Sequence, residues 1–307
     1  MKPTAFVLIL LTAICTFGAD LQQQLEALAN AHQGKVALYA KQLKTGATVA
    51  INAETPVKTA SVIKLPIMIE AFSEAKAGKL NLGDRLTLTK DNQVPGSGIL
   101  TALSPGLAPT VEDAITLMIQ LSDNTATNMV IDKIGIAPVD QMLAAMGMKN
   151  TYLYKKVFKP ADGPMPADQK QFGLGKTTAH EMADIMASID RCDLGDAALC
   201  KRMLDILKGQ HDRDDIPRYI EASDASEKPS AIANKTGALD DTRNDVALVY
   251  TTGGPIVISI FTWENKDQSW TSENQAQRLI GQMAKVIVDA WAAVKPAPAA
   301  KTVAPSK

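Results

Sequence analysis

The chain has 307 residues, 46% hydrophobic and 21% charged, with 32 basic side chains against 33 acidic ones and a formal net charge of −1. This is a globular composition, long enough to bury a sizeable core in one domain or two lobes. The balanced charge carries no signature of a nucleic-acid binder or of a protein drawn to an acidic membrane surface.

Residues 1–19 read as a signal peptide. Lys2 supplies the positive end, and the apolar run from Ala5 to Cys15 is too short to stay as a membrane span. Thr16, Gly18 and Ala19 are small, which sets cleavage near Asp20; bulky Ile14 argues against lipidation of Cys15. A secreted, periplasmic mature protein without a stable membrane anchor is expected. Residues 20–293 form its domain, and 294–307 make a Pro/Ala-rich tail expected to be disordered.

Leucines at 21, 25 and 28 predict a helix over 20–31. Lys35 to Leu43 and Ala47 to Ile51 read as strands joined at Thr45-Gly46. A helix starting at Ser61 stops at Ala77-Gly78, and Val94-Pro95-Gly96-Ser97-Gly98 is a loop. Thr110 caps a helix over Val111 to Leu121. Asn124 to Ile134 is a second helix ended by Gly135, and Pro138 to Met146 a third. Tyr152 to Gly175, with prolines at 160, 164 and 166, has no clear period and reads as a long loop. Thr178 and Glu181 form a capping box for the next helix, and Ala197 to Leu207 is another. Cys192 and Cys200 either close a short disulfide or stand as two reduced thiols; no zinc spacing is present. The period then changes: Ser230 to Thr236, Val246 to Thr252 and Ile256 to Trp263 are strands, and Glu273 to Trp291 is a closing amphipathic helix. Strands at both ends with helices between them imply a mixed α/β (α+β) fold. One antiparallel sheet is built from the two chain ends and flanked by helices, and an all-helical lobe is inserted. A pocket is expected where the two parts meet.

Three short stretches carry chemistry. Ser61 and Lys64 are three residues apart, so both face one side of a first helical turn. The serine's N–H points out of the positive helix end, which suits a developing oxyanion. A lysine can take the serine's proton only when neutral, which burial or a second cation achieves. Ser122-Asp123-Asn124 follows 61 residues after Ser61, and Lys235-Thr236-Gly237 follows 113 residues after Ser122.

With these motifs the chain resembles the penicillin-recognising serine enzymes, most closely the class A β-lactamase-like group. The likeness runs from about Asp20 to Trp291. It includes Ser122-Asp123-Asn124-Thr125-Ala126-Thr127-Asn128, Asp215-Ile216-Pro217 and Asn244-Asp245-Val246. It implies a β-lactamase/transpeptidase-like fold, no cofactor and no metal. The implied partner is a β-lactam or D-Ala-D-Ala-like small molecule, taken by a monomer.

The resemblance also implies roles. Ser61 is the nucleophile and Lys64 its proton acceptor, made less basic by a neighbouring cation, Lys235. Ser122 passes a proton to the leaving nitrogen. The N–H groups of Ser61 and Ala238 form the oxyanion hole. Lys235, Thr236, Gly237 and Arg243 bind the substrate, its carboxylate above all; a surface ion pair is the alternative for Arg243. Asn124 orients the substrate's side-chain amide and Lys64, and Asp123 is structural.

The chain departs from the class A pattern at one place. Those enzymes carry Glu-x-x-Leu-Asn on the loop before the Thr-Thr pair, and here no glutamate occurs between Glu112 and Glu181. Counting back from Thr177-Thr178 reaches Asp162, shorter by one methylene, which is either a substitute water-activating carboxylate or a solvated turn residue. Complete acylation machinery beside an incomplete hydrolytic half predicts slow or atypical deacylation. The alternatives are a D-alanyl-D-alanine peptidase or esterase, and a β-lactam-binding protein without turnover. A Ser-His-Asp hydrolase does not fit three histidines and Gly96-Ser97-Gly98. His180-Glu181 lacks the second histidine of a zinc protease.

Overall fold

The computed structural model describes residues 20–220 and 232–292. The expected signal peptide, the expected 294–307 tail and the first two residues of the strand expected from Ser230 lie outside the described residues.

A five-stranded antiparallel sheet has the order β2-β1-β8-β7-β6. Its strands are β1 (Lys35–Gln42), β2 (Thr48–Ile51), β6 (Ile232–Leu239), β7 (Thr242–Thr251) and β8 (Gly254–Trp263). N-terminal β1 pairs with β8 in register Leu38 to Ile260, so the two chain ends close one sheet. Both faces are covered, which explains the near-continuous apolar run of β8. Ile256, Ile258 and Ile260 face Leu25, Ile280, Met283 and Ile287, contributed by helix α1 (20–31) and helix α9 (Gln275–Trp291). Val257 and Phe261, on the alternate positions, join the core of the helical lobe.

That lobe is built around α2 (Lys64–Lys76), whose residues Lys64 through Phe72 are all buried. It also contains α3 (Val111–Gln120), α4 (Asn124–Ile134) and α5 (Ile136–Ala145). Thr110 caps α3 in a full capping box with Asp113. Gly135, at φ +84°, both ends α4 and starts α5. The third helix therefore begins two residues before the expected Pro138, which sits in the first turn where no N–H is needed.

The expected loop 152–175 is not featureless. β4 (Tyr152–Leu153) and β5 (Gly175–Thr177) close its two ends, and α6 (Gln169–Phe172) is a single turn within it. β5 pairs with β4 and with β3 (Val57–Lys58), forming a small second sheet behind Ser61. Thr178 caps α7 (Ala179–Arg191) by accepting from the Glu181 N–H. The Glu181 carboxylate does not return to that cap. It accepts from Lys149 N–H, Asn150 N–H and Thr151 Oγ1, clamping the turn before β4.

β7 begins at Thr242, four residues ahead of its expected start, because Thr242 through Asp245 are polar yet buried in pairing with β6. The closing helix begins at Gln275, after the cap of Asn274, rather than at Glu273. Cys192 and Cys200 are joined as a disulfide between α7 and α8 (Ala197–Lys208). Replacing both by serine is expected to lower the unfolding free energy by about 2–3 kcal/mol, the loop-closure value for so short a loop. A shift of the urea midpoint measures it; an unchanged midpoint contradicts a formed disulfide.

Candidate active site

Ser61 lies in a 3-10 turn, Ala60–Ile63, that runs directly into α2. Its N–H is in the first turn, where helices have no internal acceptor. Ala60, just before it, takes a left-handed φ of +45°, and Ser122 takes +53°. Such backbone costs about 1–3 kcal/mol at a non-glycine residue and persists only where surrounding packing imposes it. The packing is visible. Asn244 Nδ2 donates to Lys58 O at 3.1 Å and Thr59 O at 3.2 Å, tying β7 to the strand before the turn. Gly237 sits so close that a Cβ there would be 3.0 Å from both Ser61 N and Thr59 O. β6 is an edge strand, and this contact lays its Lys235-Thr236-Gly237 segment against the turn.

Lys64 and Lys235 are both fully buried. Lys64 Nζ donates to Ser122 O at 2.7 Å and Asn124 Oδ1 at 3.0 Å, and lies 3.1 Å from Ser122 Oγ. Lys235 Nζ reaches the same Ser122 Oγ at 3.2 Å and donates to Thr236 O at 2.7 Å. Two lysine amines thus flank one hydroxyl. Burial holds the Lys64 pKa well below the ordinary lysine value, and the charge of Lys235 lowers it further, against a smaller opposing effect of Asp123. Of the two expected causes, burial and a neighbouring cation, burial is the larger. Lys235 is pushed down to about 8 by burial, while Asp212, Asp245 and Asp215 help keep its proton.

Ser122-Asp123-Asn124 opens α4 and is fixed from several sides. Asp123 accepts from Ala126 N–H at 2.8 Å, Ile99 N–H at 2.7 Å and Leu100 N–H at 2.9 Å, a wholly structural set of bonds. Gly98 is obligatory, because a Cβ there would fall 2.2 Å from Asp123 Cγ. Asn124 spends one amide hydrogen on Pro95 O at 3.1 Å.

Arg243 is 3% exposed, so it is not a surface ion pair. Its guanidinium donates to the carbonyls of Leu239, Thr242 and Ser269 and lies under Trp270, 4.5 Å from the ring centroid. Asp162 is exposed on the 152–175 loop, and the charge it influences is that of Lys156. Among the described residues no group of three His, Cys, Asp or Glu side chains could hold a metal. No helix among them is long and apolar enough to cross a membrane.

Several site-supporting residues had only weak sequence signals. Asn128, the last residue of the Ser122 motif, exchanges two hydrogen bonds with the Val157 backbone, at 2.8 and 2.9 Å. Behind β6, Asn234 Nδ2 donates to both Asp245 oxygens at 3.1 Å, Ile216 N–H donates to Asp245 at 3.0 Å, and Arg213 donates to Asn234 Oδ1 at 2.8 Å. Burial raises the Asp245 carboxyl to about 7 and lifts Asp215 well above the carboxylate range.

Fold and site together are those of a serine enzyme with a lysine-flanked hydroxyl. The chain belongs to the beta-lactamase enzyme family, whose description fits residues 20–291, and within it to the class A-like serine enzymes. It is 28% identical over 245 residues to the carbapenem-hydrolyzing beta-lactamase KPC of Klebsiella oxytoca, which covers 76% of this chain and 78% of that protein. The crystal structure of a beta-lactamase from Sphaerobacter thermophilus is similar at a TM-score of 0.75 and 27% identity, over 92% of this chain and 99% of its own. A mutant of PBP-A, solved as an acyl-enzyme complex with penicillin G, is similar at a TM-score of 0.74 and 25% identity, over 89% of this chain and 96% of its own.

The contact of Gly237 with the Ser61 turn generates a prediction. Gly237→Ala should push β6 back by a few tenths of an ångström and slow labelling of Ser61 by a fluorescent penicillin roughly tenfold, by misplacing the reacting groups. A labelling rate equal to that of the wild type contradicts it.

Proposed function

We propose that this protein is a serine acylase acting on β-lactams, whose Ser61 acyl-enzyme clears slowly. The observation that carries the reading is the placing of Ser122 Oγ within 3.1–3.2 Å of both Lys64 Nζ and Lys235 Nζ. Ser61 Oγ attacks the lactam carbonyl carbon as its proton passes to neutral Lys64. The carbonyl oxygen gathers charge against the N–H groups of Ser61 and Ala238, donors of a kind whose removal typically costs about 3–4 kcal/mol. The carbon–nitrogen bond then breaks, and the nitrogen takes a proton through Ser122. Lys235, Thr236 and Gly237 receive the substrate carboxylate. Arg243, with its guanidinium spent on backbone carbonyls, supports the floor of that subsite and adds positive potential.

The signs of the two lysine shifts fix the pH behaviour. A base with a depressed pKa stays neutral to lower pH, so acylation falls only as pH drops through the Lys64 value. Carboxylate binding needs charged Lys235 and falls as pH rises through about 8.

Deacylation needs a group that activates water. The loop before Thr177 has no glutamate, and Asp162 is exposed, which supports a long-lived adduct. The same feature favours a second reading, a D-alanyl-D-alanine peptidase whose natural acyl donor is a cell-wall peptide. Intact-mass spectrometry after mixing with a penicillin should show an adduct on Ser61 that outlasts the mixing, and none on Ser61→Ala. Rapid return to the free mass with hydrolysed product argues for full β-lactamase turnover. Labelling of Ser61→Ala removes the nucleophile assignment. Release of D-alanine from a D-Ala-D-Ala peptide favours the peptidase.

A further inference from the structure

Phe158 is 64% exposed and has a left-handed φ of +53°. It is the third residue of a turn in which Lys159 N–H meets Lys156 O at 3.4 Å. Glycine or asparagine is the ordinary occupant of such a position. The turn is held by groups other than Phe158 itself. Lys156 Nζ binds Asp132 at 2.9 Å, the Val157 backbone is clamped on both sides by Asn128, and Lys159 Nζ binds Asp91 O at 2.7 Å. The ring is not spent on the core.

Where the ring lies is informative. A Cβ on Gly96 would be 2.7 Å from Asn124 Nδ2 and 3.2 Å from Phe158 Cε2. Gly96, itself at φ +89°, is therefore the spacer that lets the Phe158 ring edge and the Asn124 amide stand side by side. Asn124 in turn accepts from Lys64 Nζ at 3.0 Å, which joins this corner to the reacting groups.

We infer that Phe158 is a specificity-determining residue, an aromatic wall for acyl donors that carry an aromatic group just beyond the side-chain amide oriented by Asn124. The inference rests on the acylase reading of the cleft and adds the class of substrate. A strained, exposed aromatic beside the amide-reading residue offers an aromatic side chain a ring to meet offset or edge-to-face. A polar cell-wall side chain gains nothing from that ring.

The test compares two penicillins that differ only in a phenyl group, one with a phenylacetamido and one with an acetamido side chain. It measures the second-order rate of Ser61 labelling by each in the wild type, Phe158→Gly and Phe158→Tyr. The wild type should favour the phenylacetamido compound by roughly threefold to tenfold. Phe158→Gly should bring the ratio close to one, and Phe158→Tyr should keep it. Because glycine accepts the left-handed φ without strain, the Tm of Phe158→Gly should hold or rise. A ratio unchanged in Phe158→Gly, or no preference in the wild type, overturns the inference while the acylase reading stands. A ratio that falls together with a lower Tm assigns Phe158 to holding the loop and also overturns it. Failure of both compounds to label Ser61 of the wild type removes the acylase reading and this inference with it.

Discussion

Two buried amines share one hydroxyl. Lys64 and Lys235 are both without solvent access, and their Nζ atoms lie 3.1 and 3.2 Å from Ser122 Oγ. Like charges brought that close in a dry site cannot both stay protonated at low cost. The site resolves the conflict unequally. Asp212, Asp245 and Asp215 lend negative potential to Lys235. Asp123 supports the charge of Lys64, but its carboxylate is already engaged by three backbone N–H groups. The amine with weaker anionic support gives up its proton first, and it is the one on the same turn as Ser61.

Much of the fold serves to bring these groups together. The chain crosses from the sheet into the helical lobe at the Ser61 turn, returns at β6, and lays the edge strand against the turn it left. The contact is close enough that position 237 admits no side chain without displacement. Left-handed backbone at Ala60 and Ser122 is part of the same geometry, since Ala60 precedes Ser61, Ser122 meets both lysine amines and neither is glycine. Stored strain of this kind needs an outside constraint, and Asn244, Asp123 and the buried face of α2 supply it.

The parts of this architecture legible in the sequence were those set by short-range rules. Lys64, Ser122, Asn124 and Lys235 do meet, the Ser61 turn lies against Gly237, and the helices with clear caps and periods fall close to their expected bounds. What escaped was polar and buried. β7 starts at Thr242 because Arg243, Asn244 and Asp245 are hidden by pairing and side-chain hydrogen bonds, which no hydropathy period records. The small strands at Tyr152–Leu153 and Gly175–Thr177 are too short to show a period and exist only because they pair. The network of Asn234, Asp245, Ile216 and Arg213 joins residues far apart in sequence, and Phe158 looks in the sequence like any loop aromatic. The origin of the Lys64 shift was also half visible: a second cation could be inferred from motif order, but complete burial, the larger cause, is a property of packing.

Site-resolved titration of the two lysines tests the central claim most directly. NMR of 13Cε-labelled lysine, assigned with Lys64→Met and Lys235→Met, follows each amine through its own protonation. The account predicts that Lys64 loses its proton well below the usual 10.5 and that Lys235 does so near 8. A Lys64 resonance that stays in its charged position up to about pH 10 would contradict the account, because no neutral base would then stand beside Ser61.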